Sequence, residues 1–111
     1  MKRVGRKLLM NIETGHTFFQ CPGCHTHHAL RIKGSESWGW NGSGDAPTFT
    51  PSVLVTHNAN PDAGEQFKEW RTARVCHSFI NDGQIQFLDD STHTLTGKTV
   101  NLPDWPEGDA P

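Results

Sequence analysis

The pattern that most constrains this chain is a pair of cysteines separated by a proline and a glycine, Cys21-Pro22-Gly23-Cys24. This spacing bends the backbone so that both thiols point at one position, as in the ligand knuckles of tetrahedral zinc sites. Only one further cysteine exists, Cys76, and an odd number of cysteines with a C-x-x-C pair is more typical of metal ligands than of disulfides. A redox-active pair is the alternative, but no βαβ pattern surrounds it. We therefore predict a zinc site with Cys21, Cys24 and Cys76 as three of its ligands.

Cys76 lies in a predicted hairpin, and the register of that hairpin indicates which residue can be the fourth ligand. Asp82-Gly83 lies between two alternating runs and predicts a two-residue primed turn. The cross-strand pairs that this turn predicts are Asn81 with Gln84, Ile80 with Ile85, and Ser78 with Phe87. Because side chains alternate along a strand, Cys76 and His77 project to opposite faces, so His77 should not bind the same ion. The loop after the hairpin lies beside Cys76, which makes His93 the predicted fourth ligand, with His28 of a C-x2-C-x3-H arrangement as the alternative.

The composition indicates a small, mainly β domain. The chain has 111 residues, of which 33% are hydrophobic, and it contains 11 Gly and 7 Pro. A lean core with many turn residues favours a loop-rich fold of antiparallel hairpins held together by one zinc site, with a small α+β arrangement as the alternative. We expect a single domain over residues 1–106 and a flexible tail over residues 107–111.

Secondary structure can be placed coarsely along the chain. The apolar runs on either side of the cysteine knuckle predict two strands, a hairpin whose tip holds the metal. Pro47 and Pro51 exclude a central strand until Ser52, after which residues 53–55 form a strand-like apolar run. A short helix is expected only over residues 65–72.

Three residues outside the metal site form a candidate functional pocket. Trp40 and Asn41 precede Gly42 in a tight-turn sequence, and His77 lies on the strand face opposite Cys76. Histidine and asparagine side chains can line a ligand pocket beside an aromatic ring. The alternative for His77 is an ordinary hydrogen bond to a neighbouring loop.

A combination of motifs links the chain to other sequences. These motifs are Cys21-Pro22-Gly23-Cys24 with His28, Trp40-Asn41-Gly42, the segment 47–52, Cys76-His77-Ser78-Phe79 with Asp82-Gly83, and the segment from Thr92-His93 to Pro103. With them the chain resembles a family of small, uncharacterised proteins of tailed bacteriophages and prophages. Members often carry the label ammonia monooxygenase, which does not fit a short chain without a membrane span. The resemblance implies a phage origin and a zinc-bearing β fold. It also implies a cysteine ligand in relatives at the position of Ser91, which His93, His28 or water would replace here.

The first functional hypothesis is a binding module that docks on a host or phage protein in the host cytoplasm. The metal site looks closed, and no nucleophile triad or phosphate-binding loop is apparent in the sequence. Exposed tryptophans would be contact anchors, whereas buried ones would only fill the core. The four tryptophans are Trp38, Trp40, Trp70 and Trp105. We expect binding rather than catalysis.

Two other functions are weaker candidates. A small zinc-dependent hydrolase would need water as the fourth ligand, with Asp89, Asp90 or a second histidine as the base. A zinc-ribbon nucleic-acid binder is favoured by a basic N-terminal cluster but disfavoured by the formal net charge of −2. No apolar run approaches the ~20 residues that span a bilayer, so we expect no membrane segment.

Overall fold

The computed structural model describes residues 1–106, and the predicted tail over residues 107–111 lies outside the described residues. Two antiparallel sheets dominate, with strand orders β1-β2-β3-β4 and β5-β6-β7-β8-β9. The strands are β1 Lys2–Val4, β2 Leu8–Met10, β3 His16–Cys21, β4 Thr26–Arg31, β5 Gly39–Trp40, β6 Phe49–His57, β7 Arg74–Asn81, β8 Gln84–Phe87 and β9 Thr99–Asn101. A 3-10 helix, Glu65–Arg71, lies where the short helix is expected. Among residues 1–106, no helix has the length and apolar character needed to cross a membrane. The prediction of a mainly β fold is confirmed.

The cysteine knuckle forms the tip of the β3–β4 hairpin, as predicted. The pairing runs from His16 opposite Arg31 to Cys21 opposite Thr26. Alternate residues of β3, including Phe19 and Cys21, are buried, so the strand turns one face to the core. That alternation points the first cysteine of the knuckle inward.

The β7–β8 hairpin has the predicted turn and the predicted register. Asp82 and Gly83 have φ values of 53° and 79°, which are the two left-handed residues of a primed turn. Asn81 pairs with Gln84, Ile80 with Ile85, and Ser78 with Phe87. Cys76 is therefore on the buried face of β7 and His77 is on the outer face.

Strand β6 begins earlier than the sequence predicts. It contains Pro51 and the cis peptide bond between Thr50 and Pro51. Phe49 pairs with Ile80 but Val53 pairs with Ser78, so β6 has extra residues between these two pairs and bulges there. The expectation of no strand before Ser52 was wrong because a bulge accommodates a proline that cannot donate to the ladder.

The core lies between the two sheets and includes all three cysteines. Its buried side chains come from strands of both sheets, from the cysteine knuckle and from the C-terminal segment. They are Leu8, Phe19, Cys21, Cys24, Leu30, Phe49, Val53, Cys76, Ile80, Ile85, Phe87 and Leu102. All four tryptophans are half-buried, and Trp38 and Trp40 pack against this core. Trp38 and Trp40 therefore contribute to the packing of the core.

The basic N-terminal cluster is used within the fold. Arg6 forms an ion pair with Asp45 at 3.1 Å, and Lys7 forms one with Asp104 at 3.0 Å. The Lys7 ammonium also donates to the backbone carbonyl of Leu102. The Lys7 contacts hold the first sheet to the C-terminal segment, and the Arg6 ion pair holds the turn between β1 and β2 to the segment before β6.

Candidate metal and catalytic centres on the two faces of β7

The three cysteines and His93 form one cluster in the interior. One ligand atom from each of Cys21, Cys24, Cys76 and His93 lies within 4.8 Å of all the others. The Sγ atoms of Cys21 and Cys76 are 3.8 Å apart. A tetrahedral zinc ion with ~2.3 Å bonds to sulfur would separate two thiolates by about 3.8 Å. The arrangement is therefore compatible with a metal site.

Each member of the cluster is positioned by local structure. The backbone N–H of Cys24 donates to Sγ of Cys21 at 3.4 Å, the hydrogen bond of a metal-binding knuckle. His93 belongs to the loop after β8, and its ring lies against Gly23 so closely that a Cβ atom there would overlap it. The buried Nε2 atom of His93 has no hydrogen-bond partner in residues 1–106. A glycine cradle and an orphaned nitrogen are what a histidine ligand requires at this place.

The thiols perturb one another's ionisation. Hydrogen bonds from Cys24 and Cys76 lower the pKa of Cys21, because they stabilise its thiolate. The same contacts with Cys21 raise the pKa of Cys24 to about 11 and also raise the pKa of Cys76. Burial lowers the pKa of His93, which favours the neutral imidazole that binds metals. Three packed thiols cannot all ionise without a neighbouring cation, and a metal ion would supply one.

His28, the alternative fourth ligand, and Ser91, where the resemblance places a cysteine in relatives, lie outside this four-donor cluster, although Nε2 of His28 is also buried without a partner in residues 1–106. His28 is buried on β4, where its ring packs edge-to-face on Phe19 at 5.6 Å. Ser91 is also buried, but its hydroxyl bonds to the backbone of β7. His93 is therefore the predicted fourth donor that the structure brings to the thiols.

On the outer face of β7, a serine, a histidine and an aspartate form a hydrogen-bonded row. Nε2 of His77 is 3.0 Å from Oγ of Ser52, and Nδ1 of His77 is 3.0 Å from Oδ2 and 3.2 Å from Oδ1 of Asp90. We call Ser52, His77 and Asp90 the triad. A serine bonded to one imidazole nitrogen and a carboxylate bonded to the other is the arrangement of serine hydrolases. This row of side chains was not apparent in the sequence, because its members lie far apart along the chain.

Three local features assemble the triad. The pairing of Leu54 with His77 brings Ser52 next to His77, because Ser52 lies two residues before Leu54 on the same face of β6. The strand alternation turns His77 outward, and the loop after β8 carries Asp90. Ser91 fixes that loop, since its Oγ accepts from the His77 backbone N–H and donates to the His77 carbonyl, both at 3.0 Å. Sequence reasoning singled out His77 but missed Ser52 as its partner, because only the shifted register of β6 reveals it.

The three residues of the predicted pocket do not bond to one another. Nε1 of Trp40 donates to the Ser43 carbonyl at 3.0 Å, and the Asn41 amide donates to the Ala46 carbonyl at 3.0 Å. Both side chains thus bond within their own loop. His77 bonds instead to Ser52 and Asp90, so it is the one residue of the three that belongs to the hydrogen-bonded row on β7.

The surface beside the triad is apolar and grooved. Leu54 pairs with His77 across β6 and β7, and its surface is 56% exposed. Phe79, two residues from His77 on the same face, is 45% exposed. A cavity of about 350 Å³ lies against Phe79. Its lining is Thr48, Phe49, Thr50, Phe79, Ile80, Asn81 and Gln86. A substrate could therefore contact apolar side chains on both sides of the triad.

Comparison with known proteins gives one family. A family model described as BubE, bacterial ubiquitination-like system serine protease, matches residues 2–88. The match contains Ser52, His77 and the three cysteines, and it ends before Asp90 and His93. No curated protein and no solved structure matches the chain. The family's description is bacterial, and a phage origin stays a prediction. Since the matched region is well over half of the 111 residues, the chain belongs to the BubE family of bacterial ubiquitination-like system serine proteases.

Proposed function

We propose that this protein is a serine hydrolase that cleaves an acyl bond, with Ser52 as the nucleophile. One observation carries the proposal: His77 is bonded to Ser52 through one ring nitrogen and to Asp90 through the other. The description of the family as a serine protease of a ubiquitination-like system supports it. The substrate we propose is a protein of such a bacterial system, cleaved at a peptide or ester bond.

The mechanism follows from the geometry of the triad. As Oγ of Ser52 forms a bond to the substrate's acyl carbon, Nε2 of His77 takes the hydroxyl proton. Asp90 accepts a hydrogen bond from Nδ1–H, which keeps Nε2 free to accept that proton and stabilises the imidazolium that forms. His77 then gives the proton to the leaving amine or alcohol. Water, deprotonated by the same nitrogen, cleaves the acyl-enzyme and restores the serine.

We further propose that Cys21, Cys24, Cys76 and His93 hold a structural zinc ion. Three thiolates favour zinc among the metals available in cells, and four protein donors complete its tetrahedral shell. Binding through Nε2 of His93 would place its proton on Nδ1, at the expense of the 3.3 Å hydrogen bond that Nδ1 accepts from the Leu95 backbone. When bound, the ion would tie the knuckle hairpin to β7 and to the loop after β8.

A structural role for the metal ion fits its position, since the metal cluster and the triad lie on opposite faces of β7. Cys76 and His77 are consecutive on β7, one facing the core and one facing solvent. His93 and Asp90 belong to the same loop, three positions apart in sequence. An ion held by Cys76 and His93 would therefore fix the strand and the loop that orient the triad. The zinc-dependent hydrolase is less favoured, because the four protein donors leave no ligand position for water.

The predicted binding module becomes part of this proposal. The exposed apolar side chains Leu54 and Phe79 flank the triad, where they would contact a protein substrate. Their position favours substrate recognition over docking on an unrelated partner. The ion pairs of Arg6 and Lys7 do not support the nucleic-acid alternative, because two charges of the basic N-terminal cluster already have acidic partners.

The first experiment tests the nucleophile. The purified protein is treated with an alkyl fluorophosphonate, and the modified residue is located by tandem mass spectrometry. We expect a single adduct on Ser52, no adduct in Ser52→Ala, and unchanged labelling in Ser37→Ala, which removes an exposed serine elsewhere. A His77→Ala variant should label at least ~100-fold more slowly. Labelling at another residue, or none in the folded protein, would overturn the proposal.

The second experiment tests the metal. Elemental analysis should give about one zinc per chain, and replacement by cobalt(II) should produce the visible spectrum of a tetrahedral thiolate site. Cys24→Ser should abolish that spectrum, whereas His28→Ala should keep the tetrahedral signature. If the cobalt spectrum were lost in His28→Ala but retained in His93→Ala, the fourth ligand would be His28 and not His93.

A further inference from the structure

We propose that the open edge of β6 binds an extended peptide segment of the substrate as an added strand, ending at Ser52. The inference rests on the proposed hydrolase function and names how the acyl side of the substrate is held. Peptides that add to a sheet edge are bound mainly through their backbone amides.

After its bulge, strand β6 has a continuous partner on one side only. On that side β7 pairs with it as far as His57 opposite Arg74. On the other side β5 covers only its start, where Gly39 pairs with Thr50 and Trp40 pairs with Phe49. Within residues 1–106, no strand pairs with this second edge of β6 beyond Thr50.

The hydrogen bonds of β7 show which way its backbone groups point. The N–H of His77 donates to Ser91, and its carbonyl accepts from the Leu88 N–H at 2.8 Å. The N–H of Val75 donates to Oγ1 of Thr92, and its carbonyl accepts from the Thr92 N–H at 2.9 Å. The backbone groups of His77 and Val75 therefore face away from β6.

This orientation decides which groups of β6 face the open edge. In antiparallel strands, directly opposed residues alternate between pairs that bond to each other and pairs that do not. Leu54 lies opposite His77 and Thr56 lies opposite Val75, so neither is bonded to β7. Their N–H and carbonyl groups point to the open edge, and they have no backbone partner in residues 1–106.

Ser52 supports the same alternation independently. It lies two residues before Leu54, so its carbonyl should point to the same edge. That carbonyl accepts a hydrogen bond from Nε1 of Trp38 at 3.3 Å, a donor that does not belong to β7. Beyond Ser52, β5 occupies the edge. An added peptide strand would therefore lie along Leu54 and Thr56 and end at the nucleophile.

The edge also has the side chains of a binding site rather than of a protected edge. Proteins commonly block exposed edges with lysine, proline or a covering loop. Here the exposed residue at the centre is Leu54, on the same face as His77. The open backbone groups of β6 and the exposed Leu54 side chain favour an extended, uncharged peptide that places an apolar side chain over Leu54.

The test uses the full chain with its metal and three probes. An alkyl fluorophosphonate contains no peptide, whereas a tetra-alanyl diphenyl phosphonate presents four residues. The third probe is a series of the same peptide with one amide N-methylated at a time. We expect Ser52 to react with the peptide probe, and N-methylation to slow the reaction about 2- to 10-fold at every second amide. No sensitive amide, or equal sensitivity at all of them, would overturn the inference.

A pair of variants assigns the effect to this edge. Leu54→Pro lacks the outward N–H, whereas Leu54→Ala keeps it. The discrimination between methylated and unmethylated probes should shrink in Leu54→Pro and persist in Leu54→Ala, with folding checked by circular dichroism. Equal discrimination in the two folded variants would place the peptide elsewhere. If Leu54→Pro does not fold, the methylation series on the unmodified protein decides. Absence of labelling by the alkyl probe would instead refute the triad itself.

Discussion

Replacing Asp90 by Asn tests whether this carboxylate orients His77 for proton transfer. Both Asp90 oxygens lie within hydrogen-bond distance of Nδ1 of His77, at 3.0 and 3.2 Å. An asparagine amide can donate to Nδ1 and so favours the tautomer whose Nε2 carries the proton. That tautomer cannot accept the proton of Ser52.

The magnitude follows from the exposure of the pair. In serine proteases with a buried aspartate, this substitution lowers kcat about 10⁴-fold. The Asp90 side chain here is 58% exposed and that of His77 is 25% exposed, so water weakens the charge interaction and can partly replace the carboxylate. We expect a smaller loss, about 10²- to 10³-fold, which corresponds to about 3 to 4 kcal/mol of transition-state stabilisation.

The assay is the second-order rate of fluorophosphonate labelling, together with hydrolysis of a peptidyl p-nitrophenyl ester. Asp89→Asn is the matched control, because it removes the same charge from the neighbouring residue and should change either rate less than about threefold. Equal losses in the two variants would mean that charge alone matters. A loss below threefold in Asp90→Asn would refute the orientation argument.

Three further predictions concern the support of the two centres. Ser91→Ala removes a hydroxyl that holds the triad histidine's backbone; it should cost about 1 to 3 kcal/mol in urea unfolding and slow labelling as well. Gly23→Ala places a methyl group against the His93 ring and should weaken zinc binding about tenfold or more, measured by chelator competition. The hydrogen bond from Lys7 lowers the pKa of Asp104 below its unfolded value, so its contribution is present at neutral pH and lost as pH falls through the folded pKa. Asp104→Asn should therefore unfold at lower urea than the unmodified protein at pH 7, with the difference vanishing towards pH 2.

The cysteine knuckle and the β7–β8 hairpin, which carry the three cysteines, follow from short-range patterns in the sequence. Residues 21–24 are a local knuckle, and the Asp82-Gly83 turn sets the register of β7 and β8 through φ values that few other pairs adopt. With the register known, the opposite faces of Cys76 and His77 follow from the two-residue period of a strand. These features were predictable because each depends on residues close together in sequence.

The triad was not predictable in the same way. Ser52 reaches His77 only through the long-range pairing of β6 with β7, in which Leu54 lies opposite His77, and Pro51 suggested a break in the strand there. From the sequence, Asp90 is a candidate only as the base that would deprotonate a metal-bound water. Serine and aspartate are common in turns, so their presence alone carries little information.

The sequence by itself determined a β-rich chain with a cysteine knuckle, a primed hairpin and a strand whose neighbouring residues, Cys76 and His77, face opposite ways. The sequence also favoured His93 over His28 as the fourth donor, but only the tertiary structure shows that His93 lies with the three thiols. Tertiary structure alone decided that Ser52 and Asp90 meet His77. The physical reason is that turn geometry and strand alternation are local properties of the backbone. Pairing between distant strands depends instead on how two whole sheets pack, and one bulge in β6 is enough to change which side chains meet.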